Sequence, residues 1–279
     1  MLPAPAVRLV LATFGSHGDL NPYLAIARAL RARGHDAVLA THAHYRPLAE
    51  AAGVPLAPVR PDYDAAWGAR VMAPYRGSER LLRELIPPTV RDSYVDLLAA
   101  VRGADALLSH PVTFAAPLVA AKTGIPWASA VLAPLSFYSL GDEMPLLLLE
   151  LAGMRRRTPG LYRAFLRTGK RVIRRWMRDV DVLRAELGLP PGGHPVFEGQ
   201  HAPARVLALF SPVLGDPQPD WPPNVRVTGA VVDDGVHEAV FRDAAHGASP
   251  ALPAALARFL DEGAPPVVVT LGTSAVLSD

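Results

Sequence analysis

Three titratable side chains stand where a proton could be moved. Asp19 and His17 lie in the run Gly15-Ser16-His17-Gly18-Asp19, between an apolar stretch and a helical pattern. His110 stands beside Pro111, where another short apolar stretch ends. The positive end of a helix favours a carboxylate and disfavours an imidazolium. Asp19, with an ordinary pKa of roughly 3.9, is therefore expected to stay ionised just ahead of the helix. A carboxylate is a weak base towards an alcohol unless proton transfer is late or relayed. A neutral His110 or His17 could share the proton, because histidine titrates nearest to working pH. Each residue also has a plainer reading: Asp19 solvates the first turn of the helix, His17 lines the loop, and His110 is a capped surface histidine. His110 is kept because ligands of open α/β sheets sit at the carboxyl ends of strands. His35, His42 and His44 have no spacing that argues for a site and read as structural or surface residues. No His, Asp or Glu spacing fits a metal, so no protein-bound metal is expected.

The elements that must position these groups follow from pattern. Val7 to Thr13 (VRLVLAT) is an apolar, β-rich run suited to a parallel strand buried on both faces. After the glycine loop, Asn21 is expected as N-cap and Pro22 at the first helical position. Leu24, Ala27 and Leu30 form the helix's apolar stripe, which Gly34 ends. Ala37 to Thr41 is a second strand, so the opening is a βαβ unit. Further strands are expected over Ala106 to Ser109, Ala128 to Leu132, Arg205 to Phe210 and Val225 to Thr228. Helices are expected over Glu79 to Leu85, Val90 to Val101, Phe114 to Thr123, Leu146 to Leu187 with an interruption near Thr158-Pro159-Gly160, and Pro253 to Leu260. The fold class is thus α/β, a Rossmann-like parallel sheet with helices on both faces. Pro266 introduces a fresh strand running into a Gly272-Thr273-Ser274 loop. The domains expected are 1–229, a linker over 230–265, and the start of a second domain over 266–279, begun and not finished.

Composition excludes several classes. Half the residues are apolar and 19% are charged, which rules out a disordered or fibrous chain. With no cysteine there is neither a disulfide framework nor a thiolate metal site. A net charge of +2 is too small to argue for nucleic acid, and none is expected as a partner. The amino-terminal stretch lacks the charged start and cleavage site of a signal peptide. Leu146 to Leu149 is far shorter than the ~20 apolar residues of a membrane span. A cytoplasmic location is therefore expected. Gly15 and Gly18 do not complete the G-x-G-x-x-G fingerprint, since residue 13 is Thr and residue 20 is Leu, which argues against a nicotinamide-dependent oxidoreductase.

Gly15-Ser16-His17-Gly18-Asp19-Leu20-Asn21-Pro22, followed by LAIARALRARGHDAVLAT, resembles the opening of the nucleotide-sugar glycosyltransferases built from two Rossmann-like domains. It is most similar to the bacterial branch containing sterol, glycopeptide, macrolide and rhamnolipid glycosyltransferases. Asp105 to His110 with Thr123-Gly124-Ile125-Pro126, Pro217 to Pro222 with Val225 to Gly229, and Pro266 to Ser274 extend the resemblance over almost the whole chain. It implies that this chain is the acceptor-binding half of a GT-B-type enzyme, cut off as the donor half begins. The implied donor is a UDP- or dTDP-sugar, the acceptor a hydrophobic small molecule or lipid with a hydroxyl, and the chemistry an inverting displacement without cofactor. The family's base falls after the second glycine, here Asp19. By motif alignment its partner position is His110, so the pair has its residue types exchanged relative to many relatives. The order of candidates is Asp19, His110, then His17. Gly15, Ser16 and Gly18, with Gly272, Thr273 and Ser274, fall in loops on the donor side. The acceptor pocket would lie within Pro134 to Trp176, with Phe137, Tyr138, Met144 and Leu147 as apolar lining. Little or no transferase activity is expected of this chain alone. The alternative is a non-catalytic acceptor- or ligand-binding module of the same fold.

The stretch 154–178 alternates arginines with Leu161, Phe165, Val172, Ile173 and Trp176. It reads either as a basic amphipathic surface that approaches anionic lipid at the inner face of the membrane, or as a solvated helix pair whose arginine stems cover apolar surface. Asp179 and Asp181 close the run and favour the second reading.

Overall fold

The computed structural model describes residues 5–62, 68, 70–71, 77–139, 157–232, 253–262, 264–267 and 269. Strand β1 (Arg8–Ala12) leads to α1 (His17–Ala32), β2 (Asp36–Thr41), a 3-10 turn (Ala43–Tyr45), α2 (Arg46–Ala51) and β3 (Leu56–Pro58). The short α3 (Gly77–Arg80) continues as a π turn (Leu81–Leu85) and a 3-10 turn (Pro87–Thr89) before α4 (Val90–Ala100). Then come β4 (Ala106–Ser109), α5 (Ala115–Thr123), β5 (Trp127–Val131), a 3-10 turn (Pro134–Phe137), α6 (Pro159–Trp176) and α7 (Arg178–Glu186). Strands β6 (Val206–Ala208) and β7 (Val225–Val227) close the sheet, and α8 (Ala254–Asp261) follows.

Among the described residues the sheet has seven strands, all parallel, in the order β3-β2-β1-β4-β5-β6-β7. This is the doubly wound arrangement expected of the βαβ repeats. Alternating side chains of β1 serve opposite layers. Leu11 and Leu39 pack against Leu20, Tyr23, Leu24 and Ala27 of α1, whose spacing makes one helical stripe. Val10 and Ala12 pack on the other face with Leu97 of α4, Leu118 and Val119 of α5, and Val180 and Leu183 of α7. A third cluster joins Val131, Phe137, Val206, Phe210 and Trp221 near the β7 edge. Gly124, at φ 72°, adopts the left-handed conformation that stops α5 and turns the chain into β5.

Two expectations change. Helix α1 starts at His17 with Ser16 as N-cap, so Asn21 and Pro22 lie inside it. The Ser16–Asp19 pairing supplies a stronger start signal than Asn21-Pro22, and a proline so near the amino end costs only one ladder bond. His17 and Asp19 are consequently in the first turn rather than ahead of it. Strand β3 and helix α2 were not expected; β3 is three residues at the sheet edge, too short to carry a pattern. The described residues include only part of the expected linker, 230–265, and part of 266–279.

Two buried imidazoles give the fold a pH dependence. Burial, assisted by neighbouring His44, holds His42 down to about 3. Burial holds His201 down to about 4. Both values are below the unfolded one of roughly 6.5, so the unfolded chain binds more protons as pH falls. Stability present in full above about pH 6.5 should therefore decline towards pH 4. Urea midpoints should follow this course, and His201→Gln should lose less between pH 6.5 and 4.5 than the parent. Identical slopes would contradict it.

Candidate functional site

Strands β1 and β4 are parallel neighbours in register, with Ala12 opposite Ser109. Their chains therefore leave the sheet side by side. From there they part, the first to α1 on one face and the second to α5 on the other. A crevice opens at such a reversal of winding, and side chains just beyond both strands face into it. The loops are tied to the sheet edge at this point. The His110 backbone N–H donates to the Ala12 carbonyl (2.8 Å), and the Thr13 N–H donates to the Ala40 carbonyl (3.0 Å). The Thr13 hydroxyl donates to the Asp19 carbonyl (3.0 Å).

Asp19 and His110 meet across this crevice, with Oδ1 of the carboxylate 3.6 Å from Nε2 of the imidazole. The other carboxylate oxygen accepts from the Ser16 backbone N–H (2.8 Å) and from the Ser16 hydroxyl (3.2 Å). One oxygen thus caps the helix while the second faces the histidine. The cap lies at the positive end of the helix, where a carboxylate oxygen is a favourable acceptor.

His110 is buried, and its Nδ1 accepts a long bond from the Val112 N–H (3.5 Å). That assigns the ring proton to Nε2, the nitrogen facing Asp19. Burial pushes His110 below its usual value, while the Asp19 charge pulls the other way. The ring is therefore a neutral donor at neutral pH. Tyr23 lies beneath, edge-on to His110 at 6.1 Å, its hydroxyl donating to the Ala130 carbonyl (3.0 Å). Burial and the Asp19 charge both push Tyr23 well up, so it stays a neutral phenol.

Phe14, Gly15, Ser16, Asp19, His110 and Val112 line a cavity of about 130 Å³, with Gly68, Val71, Leu81 and Leu85 opposite. That suits a reacting group rather than a whole ligand, for which pockets run about 300–1,000 Å³. Larger hollows lie elsewhere. One of 490 Å³ is bounded by Gly124, Ile125 and Trp127 at the amino end of β5, and one of 520 Å³ runs along α1. Neither touches the Asp19–His110 pair, and the first lies at the wrong end of the strands for the rule that locates ligands in open sheets.

The remaining expected residues are distributed as follows. His17 is exposed on the first turn of α1, edge-on to Tyr45 at 5.4 Å, and does not line the cavity. Gly18 is exposed beside it. Phe137 is a correction: it is buried and stacks on Trp221 at 4.2 Å, so its apolar surface belongs to the core rather than to a pocket. Tyr138 is exposed at φ 51°, its ring edge-on to Phe197 at 4.9 Å. Met144, Leu147, Gly272, Thr273 and Ser274 lie outside the described residues. Among the described residues no cluster of three or more His, Asp or Glu could hold a metal ion. What the sequence reading missed is Tyr45, whose hydroxyl donates to the Gly15 carbonyl (2.9 Å). No motif marks it.

Comparison with known proteins bears on the fold. The fold is that of one Rossmann-like half of a GT-B-type glycosyltransferase. The crystal structure of the glycotransferase of kitacinnamycin superposes with a TM-score of 0.51 at 18% identity, over 82% of this chain and 53% of that one. Identity this low speaks to the fold alone. Residues 9–125 match the glycosyltransferase family 28 N-terminal domain. It is 31% identical over 282 residues to O-mycaminosyltylonolide 6-deoxyallosyltransferase of Streptomyces fradiae, covering 96% of this chain and 62% of that protein. It is 29% identical over 281 residues to 4'-demethylrebeccamycin synthase of Lentzea aerocolonigenes, covering 96% and 63%. The chain thus spans about three fifths of the length of these relatives.

Gly15 is what admits the carboxylate. It sits at φ 136°, and a Cβ built there would lie 2.1 Å from Oδ2 of Asp19. Gly15→Ala should displace Asp19 from Ser16 and destabilise the fold by about 1–3 kcal/mol. Denaturant melts and the Ser16 amide resonance would read both effects. An unchanged amide would show that the carboxylate needs no such opening.

Proposed function

We propose that this chain is the acceptor-side half of an inverting glycosyltransferase. It would move a sugar from a UDP- or dTDP-sugar to a hydroxyl of a hydrophobic small molecule or lipid. The observation that carries the reading is the Asp19–His110 pair at the crevice between β1 and β4, in a chain similar to a protein named as a 6-deoxyallosyltransferase. Asp19 is the base. Its side chain is about a third exposed while that of His110 is only a tenth exposed, so an incoming hydroxyl meets the carboxylate first. His110, with Nε2 3.6 Å from Oδ1, faces the carboxylate and, being neutral, does not compete for the proton. As the acceptor oxygen bonds to the anomeric carbon, its proton passes to Asp19. The bond to the nucleotide phosphate breaks, and the diphosphate leaves with the electron pair. A carboxylate is adequate because the hydroxyl becomes acidic only as that new bond forms. The donor would be held mainly by the other half, so this chain alone is expected to transfer little sugar.

Asp19→Asn keeps the shape and removes the base. In the protein carrying its donor half, turnover with UDP- and dTDP-sugars and hydrophobic alcohols, read by mass spectrometry, should fall about 10²–10⁴-fold. Acceptor binding should be retained. Undiminished turnover would move the base to another group. No transfer by the parent protein with any donor would favour a binding module of the same fold.

A second observation concerns α6. Lys170 pairs with Glu198 and Arg174 with Asp181, on the side that packs inward. Leu161, Phe165 and Val172 are exposed, 60%, 45% and 39%, along one outer stripe. Arg175 adjoins that stripe one turn from Val172, Arg171 and Arg167 continue from it around the exposed face, and no acidic partner is found for the three among the described residues. An apolar stripe edged by unpaired cations fits an anionic lipid surface, which would bring a peripheral protein to a lipid-like acceptor. Among the described residues no helix is long and apolar enough to cross a membrane. At about 1 kcal/mol per arginine, replacing all three by Gln should weaken binding to phosphatidylserine-containing vesicles on the order of 100-fold. Equal flotation of parent and variant would contradict this role.

A further inference from the structure

The Gly15 carbonyl and the Ser16 N–H are the two ends of one peptide group. Tyr45 donates its hydroxyl to that carbonyl at 2.9 Å. The N–H at the opposite end donates to Oδ2 of Asp19 at 2.8 Å. The phenol, the peptide and the carboxylate thus form one chain of hydrogen bonds running from the end of β2 to the crevice between β1 and β4. Hydrogen bonds in series polarise one another: a donor at a carbonyl draws charge from the attached N–H and makes it a stronger donor.

Tyr45 is built to hold this position. It closes the 3-10 turn after β2 and is 5% exposed. Its ring lies against His44 at 4.0 Å and His17 at 5.4 Å, with His42 at 6.0 Å. The ring is thereby fixed with its hydroxyl on the glycine loop. The peptide it reaches is the one whose turn only glycine allows, because the Asp19 carboxylate fills the space a Cβ would take.

We propose that Tyr45 is a positioning residue for the Asp19 base, acting through the Gly15–Ser16 peptide. It fixes the orientation of that peptide and strengthens the Ser16 N–H that holds one carboxylate oxygen. The other oxygen is left to His110 and the acceptor hydroxyl. The inference rests on Asp19 being the base. Titratable groups facing Asp19 are His110 across the crevice and Tyr23 beneath. Those facing Tyr45 are His17, His42 and His44, with Asp62 beyond, 3.9 Å from His42.

The test changes donor strength at position 45 in both directions. Tyr45→Phe keeps the ring and deletes the donor. 3-Fluorotyrosine at 45 keeps the ring and makes the hydroxyl a stronger donor. In this chain alone, the Ser16 amide proton should move upfield with Phe and downfield with fluorotyrosine. In the protein carrying its donor half, the acid limb of kcat/KM should move to higher pH with Phe and to lower pH with fluorotyrosine. A half-unit displacement is about threefold in rate on that limb, with acceptor KM unchanged. A purely structural tyrosine would leave the limb in place and give no opposite shifts. Unmoved amide and limb, with Asp19→Asn inactive, would overturn the relay and leave Asp19 as base. Opposed amide shifts with Asp19→Asn fully active would keep the hydrogen-bond chain and overturn its catalytic role. If Tyr45→Phe does not fold, the fluorotyrosine shift alone decides.

Discussion

The site depends on one constraint, the in-register parallel pairing of β1 with β4. Ala12 opposite Ser109 sends two chains out of the sheet at the same height, and their helices then cover opposite faces. Everything chemical lies within a few residues of that point. A register shift of one residue would turn β4 over, exchanging Leu107 with Leu108 between layers and carrying His110 away from Asp19. The buried, alternating side chains of both strands make such a shift costly. Packing of the core and placement of the site are therefore the same fact.

Asp19 reconciles two readings that looked like rivals. As third residue of α1 it caps the helix through one oxygen, and with the other it faces His110. The structural role is compatible with the proposed chemical one, because it orients the carboxylate towards the crevice. His110 contributes differently. Burial favours its neutral form, so it faces the carboxylate without adding a positive charge that would resist protonation of its partner.

Much of the fold was legible in the sequence because it is carried by long apolar runs and glycine stops. The β1, β2, β4 and β5 runs are continuous and buried, and α1 and α5 end at Gly34 and Gly124. Strand β3 escaped notice because three edge residues carry no period. The helix start was misplaced because Asn21-Pro22 imitates an N-terminus that Ser16 and Asp19 actually supply. Asp19 and His110 were legible through the motif and the strand-end rule. Tyr45 was not, since its role comes from a hydrogen bond to a backbone carbonyl thirty positions away, which no residue pattern encodes. Phe137 was misread because an aromatic after a strand fits a pocket wall and a core stack equally well until Trp221 is seen against it.

Asp19 and His110 act together only if the imidazole turns a protonated Nε2 towards the carboxylate. Long-range ¹H–¹⁵N NMR of the histidine rings in this chain tests it most directly, comparing the parent with Asp19→Asn at neutral pH. A neutral His110 protonated on Nε2 is expected, with an Nε2 resonance that shifts when the carboxylate is replaced. A ring protonated on Nδ1, or one indifferent to position 19, would contradict it.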